Sequence, residues 1–340
     1  MRPKIVFVVM SAVHTAAAVD QLARSLAPHT VLVHHDFSQT PDFELKSPNV
    51  LFVPEPKRTG WAFFGFVEGI FHAMGYALRH VEFDYLQLLS PSCLPIKSMR
   101  QFEAHVSGDA DAHVDCIDVL ANQDALMTVG YRAFTPENSL RFRVARRLSR
   151  EYFGDSAGRR DEPGFWLRSG FATRRDGRMA LVPRLALATI KALSKPSVGR
   201  HIFNEHDFRP YVGSAWFGAR RPVVARMVEE FARPRLHSYF RHLRHSDEFL
   251  LPTLLMKLST RPQPSNHYVH TFVESRAGWI EDDLFDLLAR LPAHFARKFP
   301  DASDAPIRVR VLNELVGPGA LPVPSTDDTA PIARRTASQF

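Results

Sequence analysis

The sequence predicts an α/β fold built on a mainly parallel sheet flanked by helices. Three observations predict it. Short apolar runs of strand length occur at Lys4–Met10, Thr30–His35 and Asp84–Leu89. Segments between them carry apolar residues at three- and four-residue spacing, the period of a helix with one buried face. The two kinds alternate along the first hundred residues, and strands joined through helices run parallel. The chain has 340 residues, enough for one large domain or two smaller ones.

Taken in order, Lys4–Met10 is the first expected strand. The basic start before this apolar run could pass for a weak secretion signal, but the run ends by His14 and reads as a buried strand. A helix follows near Thr15–Leu26, with Val19, Leu22, Ala23 and Leu26 on one face. Thr30–His35 is the second strand and Val50–Val53 a short third. Trp61–His80 has helical spacing, with Phe64, Val67, Phe71, Met74 and Leu78 in one stripe, and Asp84–Leu89 is the fourth strand. From about Asp118 to Pro210 the pattern loosens into a basic helix (Leu140–Arg150), glycine-containing loops and a helix near Leu185–Leu193, expected to form lids and elements beside the site. Regular structure returns with a strand at Tyr211–Ala219, helices at Val223–Phe231 and Asp247–Leu258, a strand near His267–Val273 and a helix at Glu281–Arg290. One domain is expected over 1–316, divided into halves at about 1–110 and 111–300. The stretch 317–340, rich in Pro, Ser, Thr and Asp, is expected to be a disordered tail.

Hydrophobic residues make up 45% and charged residues 23%, the balance of an ordinary folded protein. A formal charge of +7 favours anionic partners such as nucleotides, anionic lipid or nucleic acid. Arginine predominates over lysine, which suits forked contacts to phosphate or carboxylate. Cys93 and Cys116 are the two cysteines, too few for a disulfide framework or a cysteine-rich zinc site, so a reducing, cytoplasmic setting is expected. No run of eighteen apolar residues is present, so no transmembrane helix is expected.

Several segments carry chemistry. His34-His35-Asp36 closes the second strand. Asp36 can accept hydrogen bonds from a uracil or ribose, or it can cap the next turn. The two histidines, adjacent on a strand, point to opposite faces and are poorly placed to chelate one ion. Gly213-Ser214-Ala215-Trp216-Phe217 offers small residues at Gly213 and Ser214 that let a sugar approach the backbone. Trp216 could stack on a pyranose or fill the core. Asp247 and Glu248 open an apolar helix, where acids complement the helix dipole. Lys298 is a lysine in an apolar setting. Asp109-Ala110-Asp111 has the form of a metal-binding pair but follows a helix rather than a strand. His237, His242 and His245 have a spacing that could hold zinc, without a His-Glu-x-x-His pattern.

In order and spacing these segments resemble the core-2/I-branching β-1,6-N-acetylglucosaminyltransferase family (glycosyltransferase family 14), which also contains peptide O-xylosyltransferases. The match runs from Lys4 to Phe299 and is patchy over 118–210. Its best local stretch is Asp84–Ser98, like the family's Leu-Ser-Gly-x-x-x-Pro-Leu/Ile-Lys, with Pro91 where the family has glycine. Gly60-Trp61, Gly213–Phe217, Asp247–Leu255 and Phe295–Phe299 match further motifs; Leu250 stands where the family has an aromatic.

The resemblance implies a GT-A-like nucleotide-sugar fold and an inverting transfer from a UDP-sugar to an acceptor hydroxyl. It implies Glu248 as catalytic base, and Val8, Asp36, Trp61, Ser90, Arg276 and Lys298 around UDP, with His270 as the alternative to Arg276. It implies Gly213, Ser214, Trp216 and Asp247 on the sugar or acceptor side. No cofactor and no divalent metal are expected, because Ser90-Pro91-Ser92 replaces the usual carboxylates. N-acetylglucosamine is the implied sugar, with UDP-xylose and a peptide serine as the alternative. A reading from a different class is a basic protein that binds polyanions or a membrane surface through Arg141, Arg143, Arg146, Arg147 and Arg150, whose segment also carries Leu140, Val144 and Leu148. A peripheral contact with anionic membrane belongs to that reading; nucleic acid is not expected as a partner. A zinc hydrolase built on the histidines is the third.

Overall fold

The computed structural model describes residues 2–122, 125–126, 130–132, 134–152, 158–159, 180–199, 209–243, 245–273 and 276–317. They fall into two compact units: Met1–Arg58, Gly69–Asp109 and Trp279–Phe340 form the first, and Thr59–Glu68 and Ala110–Gly278 the second. The change of unit at Asp109 lies next to the expected division near 110. From Trp279 onward the chain returns to the first unit, whereas the sequence reading grouped residues to 300 with the second half.

The first unit is a parallel sheet of β1 (Ile5–Ser11), β2 (Thr30–His35), β3 (Val50–Phe52) and β4 (Tyr85–Leu89), in the order β4-β1-β2-β3. Val8 in the middle of β1 lies opposite Leu32 on one side and Leu88 on the other. Alternation along the strands sends successive residues to opposite faces. Met10 and His34 meet α2 (Phe64–His80) at Gly69, where an added Cβ would stand 3.0 Å from both side chains. Phe7 and Tyr85 face the other way, onto Phe102 of α3 (Met99–Val106), at ring separations of 5.8 and 6.1 Å. Helices therefore cover both faces, as a sheet with apolar residues on each side requires.

Local chemistry sets the ends of these helices. Thr15 caps α1 (Ala16–Ser25), its hydroxyl accepting the Ala18 N–H at 3.3 Å. Ser98 and Gln101 form a capping box at α3. α2 starts at Phe64 rather than at the expected Trp61, because Gly60–Phe63 is a turn in which Ala62 has φ 66°.

Two buried charged residues tie distant segments of this unit together. Asp20 accepts from the N–H groups of Lys46 and Ser47 (2.9 and 2.8 Å) and from the Ser47 hydroxyl (2.7 Å). Arg308, on the helix Pro306–Val311, is fully buried. It donates to the Gln21 side-chain oxygen (2.7 Å) and to the carbonyls of Pro300 (2.9 Å) and Ala18 (3.1 Å). Burial lowers its pKa to about 10, so it stays charged at neutral pH.

The second unit uses shorter pieces. Ala112–His113 pairs antiparallel with Gly218–Arg220 and parallel with Pro262–Gln263, and Cys116–Asp118 pairs antiparallel with Tyr211–Gly213. The strand expected over Tyr211–Ala219 is thus two strands. Its break falls at Ser214–Phe217, where the Ser214 hydroxyl accepts the Trp216 N–H at 3.2 Å and turns the chain. The strand expected over His267–Val273 likewise splits at His270. The helix Asp247–Leu258 buries Phe249, Leu250, Leu251, Leu254 and Leu255 completely. The basic helix spans Leu140–Tyr152 and the helix after it Leu181–Gly199. Most of the glycine-containing loops expected between and after them, and the tail at 318–340, lie outside the described residues. No helix among the described residues is long and apolar enough to cross a membrane.

Candidate functional site

The first unit offers the carboxyl edge of its sheet. With β1 flanked by β2 and β4, the strand order reverses there, and open parallel sheets bind ligands at such a point. Asp36 stands at this edge, 2% exposed. Its N–H donates to the Ser11 carbonyl at 2.9 Å. Its carboxylate accepts the Ser38 N–H (3.1 Å), the Ser38 hydroxyl (2.6 Å) and the Gln39 side-chain amide (2.7 Å). The turn-capping geometry is therefore present, and it fixes the carboxylate at the strand end.

The two histidines before Asp36 diverge. His34 Nε2 accepts the Lys57 N–H at 3.0 Å, which makes it the unprotonated nitrogen, and burial lowers its pKa to about 4. His35 lies on the other face, 2.9 Å from the Thr40 carbonyl and 3.1 Å from the Ser11 hydroxyl, and stacks on Phe43.

Ser90 opens the turn after β4. Its carbonyl accepts the Cys93 N–H at 3.0 Å, and its hydroxyl lies 3.0 Å from the Ser92 hydroxyl and 3.1 Å from the Cys93 sulfur. Pro91 occupies the second position of this four-residue turn, where a φ near −65° belongs. The proline that departs from the family pattern thus suits the turn it makes. Cys93 is fully buried, and burial pushes its thiol up.

Lys298 is held against the same turn. The strand Phe295–Arg297 pairs antiparallel with Leu94–Pro95, and the Phe299 N–H donates to the Ser92 carbonyl at 2.9 Å. The ammonium lies 4.1 Å from the centroid of the Trp279 ring, a cation–π contact. His14, in the loop after β1, feels this segment as well. Burial lowers its pKa, Asp301 opposes that shift, and Lys298 and Arg297 add to it. Asp301 also accepts the Thr15 N–H at 2.9 Å, and its carbonyl accepts the Thr15 hydroxyl at 3.0 Å. Sequence reasoning gave no site role to His14, Trp279, Arg297 or Asp301; their adjacency arises from the return of the chain after Trp279, which leaves no local pattern. Val8 is fully buried, so its side chain belongs to the core.

In the second unit the centre is the start of the helix Asp247–Leu258. Asp247 is half-buried and Glu248 exposed. Ser246 before them is 1% exposed, with its hydroxyl turned back to the carbonyls of Phe240 (3.2 Å) and Leu243 (3.0 Å). His245 has φ 55°, and its N–H donates to the carbonyl of Ala62, which has φ 66°. Two non-glycine residues in the left-handed region, bonded to each other, mark a place where the fold holds strain. Trp61 stands beside them, 65% exposed, edge-to-face with His245 at 5.1 Å. Sequence reasoning missed this pair: nothing about Ala62 points to a positive φ, and histidine, though enriched there, adopts it in only a small minority of positions.

The other expected residues of this unit sit nearby in the chain's own scaffolding. Thr253, fully buried, accepts the Tyr211 N–H at 2.9 Å and donates to the Tyr211 carbonyl at 3.0 Å, which fixes the helix to the strand Tyr211–Gly213. Gly213 is required there by backbone: an added Cβ would lie 1.9 Å from the Asp115 carbonyl oxygen. The close approach at Gly213 is therefore that of the chain itself, where the sequence suggested a sugar. Ser214 donates its N–H to the same carbonyl at 2.8 Å. Trp216 is 9% exposed, with its ring 6.2 Å from Phe66.

The metal-like patterns have separate partners. Asp111 accepts from the Thr260 N–H and hydroxyl (2.7 and 2.8 Å) and the Arg261 N–H (3.0 Å). Burial raises its pKa, but these hydrogen bonds outweigh burial and hold it below the usual range. His237 contacts Glu68 at 3.3 Å, His242 accepts from Arg241 at 2.9 Å, and His245 packs on Trp61. Arg276 lies on the strand Arg276–Ala277, opposite Val273; its side chain is outside the described residues. His270 Nδ1 is 2.9 Å from the Tyr268 hydroxyl. Arg276 and His270 belong to the second unit and Lys298 to the first. The chain matches no protein-family model and no curated protein.

Proposed function

We propose that the protein is an inverting, metal-independent glycosyltransferase on a GT-A-like fold, moving a sugar from a UDP-sugar to an acceptor hydroxyl. One observation carries the reading: at the carboxyl edge of a parallel sheet, the turn that begins at Ser90 is strapped by the segment bearing Lys298, and Asp36 is fixed at the end of the neighbouring strand system. A hydrogen-bond acceptor for the nucleoside and a cation for the diphosphate are the two things a UDP site needs.

The first unit has the donor role. Asp36 and the Ser90 turn hold the nucleoside side, and Lys298 takes up the charge that develops on the leaving diphosphate. The second unit has the acceptor role. Glu248 accepts the proton of the acceptor hydroxyl as its oxygen bonds to the anomeric carbon. The bond from that carbon to the diphosphate oxygen breaks with inversion, and its electron pair leaves on UDP. N-acetylglucosamine is the sugar favoured by the resemblance, and xylose the alternative.

Calorimetry with UDP in excess EDTA tests this. The protein is expected to bind UDP, and Asp36→Ala and Lys298→Ala are each expected to weaken binding by roughly 1–3 kcal/mol, the worth of a hydrogen bond to a charged group. No UDP binding by the folded protein rejects the reading. Transfer that EDTA abolishes and Mn²⁺ restores rejects its metal-free form.

A further inference from the structure

The helices Leu140–Tyr152 and Leu181–Gly199 pack on each other through one buried cluster that includes Phe142, Ala145, Ala186 and Ile190. Their outer faces differ from those of an ordinary solvated pair. On the second helix Leu181, Leu185, Ala188 and Ala192 follow one another at steps of four, three and four, which aligns them in one stripe. All four are exposed, Leu181 at 69% and Leu185 at 58%. The opposite side of the same helix buries Ala186, Ile190, Ser194 and Val198. It is therefore apolar on two faces, one of which is exposed. On the first helix Leu140 and Val144, one turn apart, are exposed at 69% and 38% beside Arg143 and Arg147.

Charge is concentrated in the same place. The two helices hold Arg141, Arg143, Arg146, Arg147, Arg150, Arg184, Lys191 and Lys195 against Glu151 alone. Eight cations less one anion is +7, the formal net charge of the whole chain, so the rest of the sequence is neutral in sum.

We infer that this two-helix face docks on an anionic lipid bilayer, independently of sugar transfer. Interfacial helices sink an apolar stripe into the headgroup boundary and place arginines at the phosphates, their stems lying along the apolar surface. A polynucleotide would explain the arginines but not the exposed leucines. Single-strand binders stack bases on aromatic side chains, and no exposed residue of these two helices is aromatic.

Co-sedimentation of the full chain with vesicles tests the inference. The protein is expected to pellet with phosphatidylglycerol-containing vesicles and to stay in solution with pure phosphatidylcholine. Leu181→Gln/Leu185→Gln is expected to lower the partition coefficient at least tenfold, and Arg143→Gln/Arg147→Gln roughly tenfold or more. These positions are exposed, so unchanged circular dichroism and unchanged UDP affinity serve as controls. Failure to bind anionic vesicles at low salt overturns the inference. So does binding that the leucine pair does not affect while a short oligonucleotide competes it away, which would mark a general polyanion surface.

Discussion

The sheet edge of the first unit and the helix start of the second both present charged groups, but they hold them in different ways. At the edge, Asp36 follows a regular strand and its carboxylate accepts hydrogen bonds from Ser38 and Gln39, while Lys298 follows a short strand and precedes Phe299, whose N–H donates to the Ser92 carbonyl. At the helix start, Glu248 follows a residue pair stitched in the left-handed region, next to an exposed tryptophan. Regular structure suits a site that must be fixed before a ligand arrives. Strain held by the surrounding fold is more often found where chemistry takes place. Under the proposed function, binding falls to the first region and proton transfer to the second.

The sharpest way to break that division is Glu248→Gln. Transfer is expected to fall at least about a hundredfold while UDP affinity is unchanged, because the amide keeps the size and loses the basicity. A matching loss of UDP affinity would merge the two roles. Gly213→Ala probes the scaffold behind the helix. The new Cβ would stand 1.9 Å from the Asp115 carbonyl oxygen, a backbone atom that cannot swing away. A loss of about 3 kcal/mol in urea unfolding is expected; a neutral substitution would show that this crossing adjusts freely.

Acid is expected to act on the first region through His34. Its folded pKa of about 4 lies below the unfolded value of 6.5. Between these values the unfolded chain binds the proton and the folded chain does not. The contribution is thus complete above pH 6.5 and is lost as pH falls toward 4, by about 3 kcal/mol in total. Denaturation midpoints at pH 7, 5.5 and 4.5 should fall in that order, and His34→Gln should flatten the decline. A decline unchanged in His34→Gln would move the cause to another buried histidine. The smallest effect is expected from Thr253→Val, which removes both bonds to Tyr211 and costs about 1–2 kcal/mol of stability. If it also lowers transfer at equal UDP affinity, the helix position itself limits the chemistry.

Where the chain follows one period, the sequence was easy to read. Thr30–His35 and Asp247–Leu258 were expected at the boundaries they have, and Thr15 and Phe231 ended their helices as anticipated. A period carries no information about a turn inside an apolar run, so Tyr211–Ala219 read as one strand although Ser214 breaks it. The candidate residues were legible as types and not as neighbours. Asp36 announced a strand end, but nothing local announced that the segment from Trp279 comes back to place Lys298, Arg297 and Asp301 around the loop of His14. Gly213 was visible as a small residue, and the atom it makes room for was not.

Arg308 has a consequence for synthesis. It completes α1 by binding Ala18 and Gln21, yet 287 residues separate it from Gln21. At ordinary translation speeds that interval is roughly a quarter of a minute to a minute. For most of it, once Leu89 has been added, the four strands of the first sheet are already made, but the guanidinium that fills the polar gap beneath α1 does not yet exist. The nascent chain therefore carries the first unit without this contact while the second unit emerges, and the contact forms with the arrival of the helix Pro306–Val311.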